Sequence, residues 1–184
     1  MDVSAVILSA EPVTRAIAGV EVVPFVSQFR DAAGLLDARL ASLRAVRTRW
    51  FFWLDDDDEL PEDYADVLRE CCAVGTPLAY TDELVAGRVR KSEPYSQQAF
   101  IRNPLLIHHL AVCETTAARR AATLIPRGTY AVENLLFFQV AKQGATYVPR
   151  VGYVWNRDSR GLHRHPSLLI GQVQSASWAA RHLA

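Results

Sequence analysis

Four consecutive aspartates, residues 55–58, follow directly on the apolar run WFFWL at 50–54. A short apolar run bounded by polar residues reads as a buried strand. Like charges this close are costly unless positive charge sits among them. The fold must therefore bring the end of this strand to an edge of its sheet where the charge is solvated or neutralised. A divalent cation is the most economical neutraliser, because hard cations take oxygen ligands, often one or two carboxylates plus substrate phosphates. The plainer reading is a solvated acidic loop that caps the following helix. If the chain stays extended past Leu54, Asp55 and Asp57 share one side and Asp56 and Asp58 the other. One of the first pair can then ligate a metal while the other reaches a ribose hydroxyl or a metal-bound water. Asp58 is placed to orient backbone amides at the turn before Pro61.

The rest of the chain answers this charge. Residues 55–70 hold nine acids and only Arg69, a net charge of −8 in a 184-residue chain whose formal net charge is zero. The remainder therefore carries +8 and can present a basic surface to a nucleotide diphosphate or a nucleic acid. An ordinary solvated surface is the competing reading. Half the residues are hydrophobic, enough for one well-filled domain. The N-terminus MDVSAVILSAEP has no basic leader, and no apolar run approaches the ~20 residues of a membrane span. Cys71, Cys72 and Cys113 form neither a disulfide framework nor zinc spacing. They read as small core residues of a reduced, cytoplasmic protein.

Periodicity predicts strands at 3–9 and 20–26, with Pro24 marking an edge or a bulge, and a helix over 31–46 that buries Leu35, Leu36, Leu40, Leu43 and Val46. The strand at 50–54 is followed by a helix opened by Pro61, with Tyr64, Val67, Leu68 and Cys71 as its buried stripe. Residues 77–92 read as a hairpin about Ala86-Gly87, 93–109 as irregular, and 110–116 as a strand. A helix over 129–144, short strands at 146–149 and 151–155, a basic loop and a last helix over 167–183 complete the chain. Strand–helix alternation followed by a mixed second half predicts an α/β fold with one central sheet, parallel in its early part. Ligands of such sheets sit beyond the carboxyl ends of the strands, where the aspartates fall.

The stretch WFFWLDDDDELPEDY, with a helix before it, resembles the GT-A fold glycosyltransferases, in particular the family 2-like group. Their recurring pattern is a strand ending in Leu-Asp-x-Asp-Asp and then a Pro-led helix. Downstream, YAVENLLFFQVAKQG resembles the family's acidic helix opening. ATYVPRVGYVWNRDSRGLH resembles its late strands and basic loop, and NPLLIHH resembles its segment before the middle strand. The likeness spans roughly residues 35–165. Asn134 stands where the family's second acid is usual, and the first half is short: no helix of normal length fits between 3–9 and 20–26.

The resemblance implies one GT-A-like domain over 1–184, a central mixed sheet flanked by helices with a shortened N-terminal nucleotide-binding half. Residues 1–60 would form the donor nucleotide and metal half, and 61–184 the acceptor half with the C-terminal helix. It implies metal-dependent, inverting transfer of a sugar from a nucleotide-diphosphate sugar, a UDP-sugar by family habit, to an acceptor hydroxyl. Mn²⁺ or Mg²⁺ would be held by Asp55, Asp57 and His163, with His165 as the alternative histidine. The donor nucleotide would meet Ser9, Ala10, Glu11, Ser27, Gln28, Arg39, Asp55 and Asp56, and its diphosphate Arg157 and Arg160. Glu133 would be the catalytic base. Trp53 and Trp155 are core or sugar-stacking aromatics. Compact phage members of this group glycosylate hydroxymethylated bases in DNA, so 5-hydroxymethylcytosine in DNA is the first acceptor expectation. The basic residues Arg88, Arg90, Lys91, Arg119, Arg120, Arg127, Arg150 and Arg164 suit it. Glycan, protein and small-molecule acceptors stay open. So do a metal-dependent nucleotidyltransferase and a non-catalytic nucleotide-sugar or DNA-binding module.

Overall fold

The computed structural model describes residues 1–28, 32–126, 133–156 and 166–181. Strands β1 (Val3–Ser9), β2 (Glu21–Val26) and β3 (Trp50–Asp55) come first, with helix α1 (Ala32–Ser42) between β2 and β3. Helix α2 (Tyr64–Ala73) leads to β4 (Leu78–Val85) and β5 (Arg88–Arg90). Then come α3 (Gln97–Arg102), β6 (Ala111–Glu114), α4 (Thr115–Ala122), α5 (Asn134–Ala141), β7 (Thr146–Trp155) and α6 (Pro166–Arg181).

All seven strands join one mixed sheet in the order β2-β1-β3-β6-β4-β5, with β7 also on β4. β1 is parallel to β2 and β3, β6 is antiparallel to β3 and β4, and β7 is parallel to β4. A strand has only two edges. Since β7 pairs along Ala79 to Val85, β6 and the short hairpin strand β5 must share the other edge of β4. β1, β2, β3, β4 and β7 thus end at one edge of the sheet, and the antiparallel β6 begins there.

Both faces are covered, which is why β1 is buried at every position. Period two divides its side chains. Val6 and Leu8, with Phe51 and Trp53 of β3, face a core built with Leu35, Leu36, Phe100, Leu136, Phe138 and Ala179. Val3, Ala5 and Ile7, with Trp50, Phe52 and Leu54, face a second core with Val67, Leu68 and Cys71 of α2. Trp53 packs edge-on against Phe51 at 5.2 Å and tilted against Phe137 at 6.0 Å, so it belongs to the core. The three cysteines are free thiols; Cys71 and Cys113 are buried as small apolar groups.

Several boundaries differ from expectation. α1 stops at Ser42, because 43–45 close tighter turns through the amides of Arg44 and Ala45. Pro61 opens a turn and not the helix itself, which begins at Tyr64. The segment 93–109 contains α3, started by the Ser96 hydroxyl accepting from the Ala99 amide at 3.0 Å. The strand expected at 110–116 ends at Glu114, and the unexpected helix α4 begins at Thr115. The two late strands are one, β7, whose register against β4 shifts around Thr81 and Asp82. No described helix is long and apolar enough to cross a membrane.

Candidate functional site

Asp55 is the last residue of β3, and residues 55–58 form a turn closed by the Asp58 amide donating to the Asp55 carbonyl at 3.2 Å. The turn breaks the extended geometry assumed from sequence. Asp56 and Asp57 are exposed, Asp55 is partly covered, and Asp58 is only 2% exposed. Asp58 is held from β7: its carboxylate accepts from the Tyr153 hydroxyl at 2.8 Å and from the Asn156 amide at 2.7 Å. The Asn156 side chain donates to the Asp57 carbonyl at 2.9 Å, and Glu59 exchanges two backbone bonds with Val154. Burial, resisted by those two hydrogen bonds and assisted by the charges of Asp55 and Asp57, pushes the Asp58 carboxyl up to about 7. Burial first, and then the charges of Asp55 and Asp58, keep the Tyr153 phenol neutral far above its ordinary range.

Beneath the turn lies Arg39 of α1, 2% exposed. Its guanidinium pairs with Asp55 at 2.7 Å and with Glu133, and its charge lies over the Trp53 ring at 5.6 Å. Burial alone would lower its pKa, but Glu133 and then Asp55 outweigh that, and the group stays charged. Glu133 is 3% exposed just before α5. The structure therefore joins three expected site residues, Arg39, Asp55 and Glu133, into one ion network that is buried at Arg39 and Glu133 and partly open at Asp55. The Asn134 side chain donates to the Pro104 carbonyl.

The nucleotide-side expectations fall along the same sheet edge. Ser9 closes β1, and its hydroxyl accepts from the Glu11 amide at 3.2 Å. Ala10, Glu11 and Gln28 are exposed, and Ser27 is half-buried with its amide on the Ser9 carbonyl at 2.9 Å. Residues 10–20 link β1 to β2 without a helix and run past the acidic turn: Arg15 donates to the Asp58 carbonyl at 2.6 Å. Arg157, Arg160, His163 and His165 lie outside the described residues.

His108 and His109, just before β6, are the participants that sequence reasoning did not single out. The antiparallel entry of β6 brings them to this edge. One ligand atom from each of Asp55, Asp58 and His109 lies within 4.8 Å of the others, and the same holds for Glu83, His108 and His109. Burial first, then its electrostatic neighbours His108, Arg39 and Arg90, hold the His109 pKa well below its ordinary value. Its ring stacks on Tyr153 at 4.4 Å and 13°. Two carboxylates and an unprotonated imidazole form a donor set that suits Mn²⁺ and, through the oxygens, Mg²⁺. Beside it opens a cleft of about 320 Å³ lined by Glu83, Arg90, Ser92, Asn103, His108 and His109 among others. Sequence offered only the pair itself: NPLLIHH precedes a strand, but both rings lie before it, 3.8 Å apart and on the same cleft.

No family model and no curated protein matches the chain. Solved structures do. The structure of S. aureus TarS 1-349 in complex with UDP-GlcNAc superposes with a TM-score of 0.64 at 12% identity, over 88% of this chain and 60% of that one. Glucosyl-3-phosphoglycerate synthase from Mycobacterium tuberculosis in complex with Mg²⁺ and UDP superposes with a TM-score of 0.57 at 13% identity, over 96% and 78%. The same enzyme with Mn²⁺, UDP-glucose and phosphoglyceric acid gives 0.53 at 13%, over 95% and 79%. The chain spans about 60% of the TarS fragment it matches. At these identities the likeness is one of fold: a GT-A-like sheet flanked by helices.

Proposed function

We propose that this chain is a metal-dependent glycosyltransferase that moves a sugar from a UDP-sugar to an acceptor hydroxyl with inversion. The observation that carries the reading is the acidic turn at the end of β3, with Asp55, Asp58 and the His109 ring drawn together at the carboxyl edge of a GT-A-like sheet. By motif the metal falls to Asp55 and Asp57, and the Asp58 carboxylate and the His109 ring, gathered with Asp55, are its further ligands. Bound there, a divalent cation would stabilise the departing diphosphate. Asp57 is exposed and can reach outward, whereas Arg39 fixes the rotamer of Asp55 from below. Ser9, Ala10, Glu11, Ser27, Gln28 and Asp56 line the path of the nucleoside, and Arg157, Arg160 and His163 are assigned to the diphosphate and metal by motif position alone. Glu133 is the base by motif; in that role it must first give up Arg39.

The acceptor expectation of modified DNA drew on the likeness to compact phage members and on the basic residues. Arg119 donates to the carbonyls of Leu43 and Val46, Arg150 pairs with Asp63 and Glu70, and Arg90 pairs with Glu83. These internal commitments leave less charge for phosphates and favour a second reading, an acceptor of sugar or small-molecule size in the cleft beside His108. The test is UDP release from a panel of UDP-sugars with Mn²⁺ or Mg²⁺, with and without hydroxymethylcytosine DNA. Metal-dependent release supports the transferase, and a rise only with that DNA restores the nucleic-acid acceptor. Failure both to bind UDP with metal and to release it would overturn the reading.

A further inference from the structure

Glu83 lies near the end of β4 with its carboxylate 1% exposed, on the wall of the cleft. One oxygen is ion-paired with Arg90 and the other meets His108 Nδ1 at 3.1 Å. An ionised carboxylate can only accept, so Nδ1 carries the hydrogen and Nε2 is the ring nitrogen turned to other partners. His108 also lines the cleft, and its ring is fixed between His109 at 3.8 Å and the edge of Trp155 at 5.4 Å. Such a carboxylate–imidazole pair holds one tautomer and stabilises the imidazolium that forms when the ring takes a proton. His109 belongs both to this group and to the acidic one. The dyad is therefore one imidazole ring away from the turn to which the metal was assigned. Glu133 differs on both counts: its carboxylate is committed to Arg39, and it is not part of the cleft lining.

We infer that His108, oriented by Glu83, takes the proton from the acceptor hydroxyl in this cleft. The inference rests on the transferase reading above. In the step, the acceptor oxygen forms a bond to the anomeric carbon, and the bond from that carbon to the diphosphate oxygen breaks. Its electron pair leaves with the diphosphate, and the hydroxyl proton passes to Nε2. His108 is then a catalytic residue and Glu83 a positioning residue.

The experiment compares wild type with His108→Ala, Glu83→Gln and Glu133→Gln, each checked for an unchanged melting temperature. It measures UDP release from UDP-glucose and UDP-GlcNAc with Mn²⁺, using water and glycerol as acceptors. His108→Ala is expected to lose at least ~100-fold in kcat with donor KM changed less than about two-fold, the size of a positioned proton acceptor. Added imidazole should restore at least ~10-fold of that loss, which a merely structural histidine would not allow. Glu83→Gln should lose less. Retained activity in His108→Ala, or a loss that imidazole does not relieve while Glu133→Gln is equally inactive, overturns the inference and returns the role to Glu133. A long-range ¹H–¹⁵N spectrum of wild type reads the tautomer without turnover, and a hydrogen on Nε2 overturns the dyad whatever the assay gives. A wild type that neither binds UDP with Mn²⁺ nor releases it defeats the transferase reading instead.

Discussion

Asp58 and Glu83 are buried carboxylates at the same edge of one sheet, 2% and 1% exposed, yet they are held in opposite ways. Asp58 follows β3 and is bonded by neutral donors, Tyr153 and Asn156, with the like charges of Asp55 and Asp57 beside it. Glu83 sits on β4 with cationic Arg90 and the ring of His108 against it. The end of β3 is thus organised but short of positive charge, whereas the end of β4 is compensated from within. An external cation is therefore of use at the end of β3 and not at the end of β4: a buried acid already paired acts as an orienting group, whereas one bonded by neutral dipoles beside two more acids gains from added positive charge.

The largest test removes the internal cation that β3 does have. Arg39→Met leaves Glu133 buried beside an apolar chain and is expected to cost about 3–5 kcal/mol in denaturant unfolding. Arg39→Met with Glu133→Gln should recover much of that. Second is the response to metal. Saturating Mn²⁺ should raise wild-type stability by about 2.7 kcal/mol at a hundredfold excess over Kd. Asp55→Asn and Asp57→Asn should lose the shift and Glu83→Gln should keep it; loss in Glu83→Gln would erase the contrast between the two ends. Third, β7 serves both ends, and Gly152 makes this possible. A Cβ there would meet Thr81 Oγ1 at 2.5 Å and Leu110 Cδ2 at 3.0 Å. Gly152→Ala should cost about 1–3 kcal/mol by thermal melting.

The smallest effect is on pH. Because the folded Asp58 carboxyl is raised to about 7 above the ordinary ~3.9, the folded state binds its proton more tightly than the unfolded chain. Its contribution is whole at pH 4 and below and is lost as pH rises through 7. In EDTA, wild type should lose stability relative to Asp58→Asn between pH 4 and 8. A parallel pair of stability curves would show that the carboxyl is not raised.

Much of the sheet was legible because its signal is local. VSAVILS and WFFWL are continuous apolar runs, and both became central strands paired in register from Val3 with Trp50 to Leu8 with Asp55. Pro24 was read as an edge marker and lies on β2, at the end of the strand order. Ala86-Gly87 was read as a hairpin turn, and both residues have positive φ, 49° and 76°. The helices α3 and α4 were missed for different reasons. α3 is only six residues and shows itself through Ser96 alone. In TTAARRAA the helical alanines follow a strand without any loop to mark the change. The site was legible as far as the strand end and no further. That Asp58 and not Asp57 would turn inward depends on Tyr153 and Asn156, nearly a hundred residues away. That His109 would stand near the aspartates depends on the direction of β6, which no pattern within NPLLIHH encodes.

The ion network of Arg39 has a consequence for how the chain comes off the ribosome. Arg39 and Glu133 are 94 residues apart, and each has its charged group almost completely covered. While only the first hundred residues have emerged, β1, β2 and β3 can pair and α1 can form. The guanidinium must then stay solvated or rely on Asp55 alone. The N-terminal half is expected to remain an open, chaperone-accessible intermediate until α5 arrives to close it.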